Sequence, residues 1–130
     1  MNAQASNLWN GWRNSTEIHD LAVAWIAKPL NDWTEEDERL TRLFRDSPDE
    51  GLATIFAIMQ LTDDTKILGS LGAGRFEDFL GLHGEKYLDV IHAIALEQKE
   101  LRTVLDSVWQ GAMPKHVWHQ IEILKQSAFS

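Results

Sequence analysis

The stretch LGAGRFEDFLGLHGE, residues 71–85, holds the side chains of this chain that are best suited to chemistry. Two adjacent acids, Glu77 and Asp78, are followed five residues later by His83. Carboxylates and an imidazole can act together as general acid and base, or hold a divalent metal ion. One functional hypothesis is therefore a metal- or small-ligand-binding domain, or an enzyme, that uses these three residues.

The glycines before the acids do not form a phosphate-binding loop. A Walker loop continues from its last glycine into Lys and then Ser or Thr, whereas Arg75 follows Gly74 here. The dinucleotide fingerprint needs a third glycine at the position of Glu77, and acids in the first turn of a helix repel phosphate. We predict instead a helix–turn–helix junction, in which the glycines allow a sharp turn, Glu77 and Asp78 cap the next helix, and Gly84 ends it.

Other catalytic and metal-binding patterns are missing from the sequence. The chain has no cysteine, which excludes disulfides, thiolate metal sites and cysteine nucleophiles. No serine lies in a nucleophile elbow, and His116 and His119 are three residues apart rather than the four usual in zinc-binding helices. We therefore expect a protein that is not an enzyme, and we predict no metal site and no cofactor.

The most acidic segment is DWTEEDERLTRLFRDSPDE, residues 32–50, which contains eight acids and three arginines. Much of it fits helix capping and a solvated helix surface. An acidic helix with a tryptophan at its edge would also suit a basic partner, with the aromatic ring as anchor. The predicted partner-binding residues are Trp33, Glu35, Glu36, Asp37, Glu38, Asp46, Asp49 and Glu50.

The overall charge favours a basic protein as the partner. Twenty acids and twelve bases give a formal net charge of −8, which repels nucleic acid. No apolar run approaches the ~20 residues that span a bilayer, so we expect no membrane partner and a cytoplasmic location. The leading hypothesis is a small acidic domain that masks a basic partner protein, as an immunity protein or antitoxin masks a toxin, or as a regulator does.

Helical periodicity runs along the whole chain, and no segment alternates with the period of a strand. It predicts an all-α fold, a compact bundle of about seven short helices around a single core, in one domain of residues 1–130 with an N-terminal arm at 1–13. Helix starts are predicted at Asn14 or Ser15, at Thr34 with Asp37, at Ser47 with Pro48, and at Thr62-Asp63-Asp64. The helix from Pro48 is apolar around much of its circumference, which predicts the central buried helix.

Six tryptophans in 130 residues must be accommodated. Trp25, Trp109 and Trp118 fall on apolar faces and are predicted to lie in the core. Trp9 and Trp12 lie in a polar N-terminal segment, and we expect them to fold back over the bundle as a lid. The alternative is that they dock on another chain, which would make the protein a structural homo-oligomer.

Residues 68–124 resemble an uncharacterised family of small bacterial all-α proteins. The shared pattern is G-x-x-E-D-x-L, then His-Gly, a later tryptophan, and M-P-x-x-V-W, present here in LGAGRFEDFLGLHGE and in SVWQGAMPKHVW. Arg75 departs from it, because a small residue or proline is expected there. The resemblance implies a helical fold unit and carries no activity.

Overall fold

The computed structural model of the chain describes residues 1–128, and its regular elements are all helical. A 3₁₀ turn, Gly11–Asn14, follows the first helix, and a π-helical turn, Gly72–Phe76, joins the fifth and sixth into one continuous helix. The part of the chain described thus has seven separate α-helices, which confirms the predicted all-α bundle. The elements are α1 (Ala3–Asn10), α2 (Thr16–Ala27), α3 (Glu35–Asp46), α4 (Pro48–Leu61), α5 (Thr65–Leu71), α6 (Glu77–Glu97), α7 (Lys99–Leu105) and α8 (Lys115–Ala128).

Helix α4 is the centre of the core, as its composition predicts. Every residue from Gly51 to Met59 is buried, and α1, α2 and α3 pack around it. Pro48 occupies the first turn, where its missing N–H is no loss. Ser47 is the N-cap residue, as predicted, but its side chain bonds to no helix N–H that the structure describes. Instead the Ser47 N–H donates to Leu43 O at 2.8 Å, which closes α3.

The N-terminal arm packs on the bundle, which confirms the predicted lid. Trp9 is only 4% exposed, and its ring lies 5.2 Å from that of Phe56 in α4. Gln60 Nε2 donates to Trp9 O at 2.7 Å, and Asn2 caps α1 through the Ala5 N–H. Trp9 is already buried within its own chain, so it does not need a second chain to cover it. This removes the main reason to expect a homo-oligomer built on the N-terminal tryptophans.

The helix–turn–helix junction predicted around the glycines is wrong, because the chain there is one helix from α5 to α6. Gly72 lies where α5 meets α7, and a Cβ on it would come within 2.5 Å of Val104 O. Gly84 is buried inside α6 against Val117 of α8. These glycines allow close helix packing, so tertiary contacts override the local tendency of glycine to end a helix. Within residues 1–128, Gly111 is the sole residue with positive φ, at 50°.

Two of the three tryptophans predicted for the core are placed differently. Trp25 is buried as expected, whereas Trp118 is half-buried and Trp109 is 66% exposed. Helix α7 ends at Leu105, so Trp109 belongs to the following loop and not to an apolar helix face. No helix in the described range is long and apolar enough to cross a bilayer.

Gly72 and Gly74 make a matched pair for testing the packing role of the glycines. Gly72→Ala should destabilise the fold by about 1–3 kcal/mol, because its methyl group would collide with Val104 O and Ser107 Cβ. Gly74→Ala should leave stability unchanged or raise it by up to about 1 kcal/mol, since no described heavy atom lies within 4 Å of its Cβ position. Urea unfolding followed by circular dichroism measures both; equal losses would contradict the packing explanation.

Candidate functional site

Glu77 binds a distant loop instead of facing a ligand. Its Oε1 accepts a hydrogen bond from the Trp109 N–H at 2.9 Å, and its carboxylate lies against Gly111. A carboxylate in this position satisfies a backbone donor in the loop between α7 and α8. The predicted helix cap is therefore wrong for Glu77, which binds the α7–α8 loop and not the start of its own helix.

Asp78 and His83 are engaged elsewhere. Asp78 Oδ2 pairs with Arg75 Nη1 at 3.3 Å, while His83 Nε2 lies 2.6 Å from Phe44 O in α3. Because a carbonyl oxygen only accepts, His83 must carry its proton on Nε2. The predicted site of Glu77, Asp78 and His83 is thus not assembled. No group of three or more potential metal ligands occurs among residues 1–128.

The most chemically distinctive concavity lies elsewhere, between the α2–α3 connection and the π-helical turn. It is a cleft of about 290 Å³, which we call the Trp33 cleft. The wall from the α2–α3 connection combines charged and apolar side chains, whereas the opposite wall is polar and charged. Residues of both walls form ion pairs with one another. Its lining residues are Trp25, Lys28, Leu30, Asn31, Asp32, Trp33, Asp37, Ser70, Gly74, Arg75 and Asp78.

Asp37, predicted as a partner-binding surface residue, is a buried residue of this cleft. It is only 2% exposed, and the Trp25 Nε1–H donates a hydrogen bond to its Oδ1 at 2.9 Å. Lys28 Nζ lies 3.4 Å from Oδ2, and the Thr34 N–H donates to the same oxygen at 3.1 Å. The last contact confirms the predicted link of Thr34 with Asp37 at the start of α3. The others hold Asp37 inside the chain, so it contributes its charge to the cleft rather than an exposed contact surface.

Arg75 connects α3 to the π-helical turn. It is only 6% exposed, and its Nη2 donates to Thr41 Oγ1 at 2.8 Å. Its Nη1 pairs with Asp78, while its Nε lies 3.9 Å from Asp37 Oδ1. That Nε is buried and has no hydrogen-bond partner in the described part of the chain.

Burial and pairing compete in setting the charge states of the cleft. Burial would raise the pKa of Asp37, but hydrogen bonds from Trp25 and Thr34 and the charge of Lys28 outweigh it, so the pKa lies below its ordinary value. Burial lowers the pKa of Arg75, although the charges of Asp78 and Asp37 oppose that shift. For Asp78, burial raises the pKa despite the neighbouring arginine.

Trp33 stands at the rim of the cleft with 59% of its surface exposed. Its Nε1–H donates to Glu38 Oε1 at 2.7 Å, and Arg75 Cζ lies 4.8 Å from the centre of its ring. These two contacts fix both the plane and the rotation of an exposed indole. Such a ring presents a large apolar surface with little conformational freedom left to lose.

The remaining predicted partner-binding acids separate into two groups. Glu35 and Glu38 are exposed and Glu36 is half-buried in the first turn of α3, beside Trp33. The second group, at the junction of α3 and α4, is largely engaged within the chain: Asp46 pairs with Arg45 at 2.9 Å, and Asp49 accepts a hydrogen bond from the Tyr87 hydroxyl. Glu50 lines a separate groove of about 260 Å³ between α2 and α3.

The chain belongs to a family of unknown function, DUF6869, whose family model matches residues 24–129. This confirms the expected membership of an uncharacterised family, and the match covers more of the chain than the predicted pattern. All residues of the Trp33 cleft lie within it. No curated protein and no solved structure gives a significant match.

Asp37→Asn tests whether the buried carboxylate holds the cleft together. At pH 7 we expect a loss of about 3 kcal/mol, because Lys28 and Arg75 would lose their buried counter-ion. A lowered carboxylate pKa stabilises the fold above the unfolded-state value of about 3.9, and that contribution disappears as pH falls through the folded value. The gap between variant and wild type should therefore narrow below about pH 4.

Urea unfolding at pH 7 and at pH 3 measures this difference. Asp46→Asn is the matched control, because Asp46 forms an exposed ion pair at the other end of α3 and should leave the unfolding midpoint unchanged. A gap between Asp37→Asn and wild type that is the same at both pH values would contradict the role assigned to the charge.

Proposed function

We propose that this family member is a protein-binding domain that docks a basic segment of its partner on the Trp33 cleft. The observation that carries the proposal is Trp33 itself, an indole that is mostly exposed and yet held from two sides. Large aromatic side chains at the centre of an interface provide much of its binding energy. A ring already fixed in the free protein loses little entropy on binding, which raises its value as an anchor.

The charge around the ring favours a basic partner. Four carboxylates and two cations surround the cleft, which gives a formal local charge of −2; Glu35 and Glu36 add to it from the first turn of α3. Complementary charge would attract a basic segment from a distance, and the overall charge of −8 acts in the same direction. The charged groups at the cleft are Asp32, Asp37, Glu38, Asp78, Lys28 and Arg75.

The specific form of the proposal is that the domain masks its partner, as an immunity protein or antitoxin masks a basic toxin, or as a regulator does. We place this interaction in the cytoplasm. The competing idea of a ligand-binding site at Glu77, Asp78 and His83 has less support, because each of these side chains already serves a different contact within the chain.

Affinity capture from native cells, with the tagged full chain as bait, tests the docking surface. Trp33→Ala should weaken retention of a basic partner roughly thirty-fold, equivalent to about 2 kcal/mol, because it removes the anchor. Trp109→Ala is the matched control, since Trp109 is equally exposed but belongs to the α7–α8 loop. Binding constants of the identified partner, measured by calorimetry with each variant, give the ratio.

Retention should also fall as salt rises, because exposed charges guide the encounter. A partner bound equally well by wild type and Trp33→Ala would move the interface away from the cleft. If no basic partner is retained at low salt, the proposal fails altogether. Masking is then tested by co-expressing the identified partner with each variant and measuring growth.

A further inference from the structure

We infer that the residue recognised at Trp33 is an arginine of the partner, whose guanidinium stacks on the ring face opposite Arg75. This inference rests on the proposed function and makes it more specific. Arg75 lies over one face of the indole, and the exposure of Trp33 leaves the rest of the ring open. The protein thus already shows this ring holding one guanidinium, and the second face has the same π-electron density to offer.

Glu38 supplies a carboxylate beside the open ring. Its Oε1 accepts the indole N–H, whereas its Oε2 has no hydrogen bond to any residue that the structure describes. A guanidinium stacked on Trp33 could donate one N–H to that oxygen, and Asp32 lies on the same rim of the cleft. The planar, forked guanidinium satisfies stacking and pairing at once. A lysine ammonium, which is more strongly hydrated and not planar, satisfies only one of them well.

A second guanidinium near Arg75 is electrostatically acceptable here. The two groups would lie on opposite faces of the indole, and Asp37, Asp78 and Glu38 already surround the first. The local charge of the cleft stays negative until two cations are added, since its carboxylates outnumber its cations by two. One partner arginine therefore reduces an existing charge imbalance instead of creating one.

The unsatisfied Nε–H of Arg75 favours a peptide segment as the carrier of this arginine. A buried donor without an acceptor costs about 1–3 kcal/mol, and Asp37 Oδ1 at 3.9 Å is too far away to form the bond. Arg75 lines the cleft, so a small shift of its guanidinium would bring the Nε–H within reach of a main-chain carbonyl oxygen of an inserted strand. An extended peptide brings such acceptors together with its side chains.

The test uses three fluorescent peptides of identical Gly-Ser background, carrying either three arginines, three lysines or three citrullines. Anisotropy titrations with the full chain at low salt should show the arginine peptide binding about tenfold more tightly than the lysine peptide. The citrulline peptide, which keeps the planar group but lacks the charge, should not bind measurably. Trp33→Phe should retain part of this preference and Trp33→Leu should abolish it.

Glu38→Gln separates the two contacts of the guanidinium. It should weaken the arginine peptide several-fold and change lysine binding less, whereas Asp46→Asn should affect neither. Equal affinity for arginine and lysine would overturn this inference and leave the proposed basic interface intact. Failure of all peptides to bind would overturn it as well, and partner capture that depends on Trp33 would then still support the proposed function independently.

Discussion

The architecture of this end of the molecule depends on one buried carboxylate, that of Asp37. Its two oxygens contact α2 through Trp25 and Lys28, and its own helix start through Thr34. On the far side it faces Arg75, which belongs to the π-helical turn between α5 and α6. Without this charge Lys28 would lose its ion pair and Arg75 would keep only Asp78, so the three elements must close around the carboxylate together.

Such a network contributes geometry more than net stability, because the desolvation of each ion offsets much of the attraction between them. Here the geometry has a visible result at the surface. Arg75 is held by Thr41 and Asp78 and in turn lies beneath the Trp33 ring. The position of the exposed indole is therefore determined by contacts that begin in the core. A tryptophan on a free loop of the same length would sample many orientations and bind more weakly for that reason.

Local signals in the sequence predict the helices well and their surroundings less well. The starts at Ser15 and Asp64 are confirmed, since both side chains accept from helix N–H groups, and the apolar composition of α4 predicts its central place. The prediction of turns at the glycines of the α5–α6 helix is wrong, because these glycines are required by non-local packing. Val104 of α7 and Val117 of α8 approach the helix at these positions. No periodicity within the stretch itself carries that information.

In the candidate site, too, some features can be predicted from local sequence and others cannot. Exposure of Trp33 follows from its polar neighbours, and the pairing of Thr34 with Asp37 follows from their spacing. The burial of Asp37 does not, because it requires the indole N–H of Trp25 twelve residues earlier and a cation from the π-helical turn. One signal was present in the sequence: Arg75 stands where the predicted pattern has a small residue or proline. Its buried guanidinium pairs with Asp78 and faces Asp37.

Because the predicted partner-binding acids fall into two groups, only part of the net charge is available for direct contact with a partner. The acids at the junction of α3 and α4 bind Arg45 and Tyr87. They therefore add to the electrostatic attraction of a distant cation but offer few free oxygens for direct contact. Those beside Trp33 retain free oxygens and lie next to an aromatic surface. Long-range charge sets how fast a basic partner arrives, while a fixed ring with adjacent carboxylates sets how long it stays. In the proposed complex the first property would come from the whole chain, and the second from the Trp33 cleft.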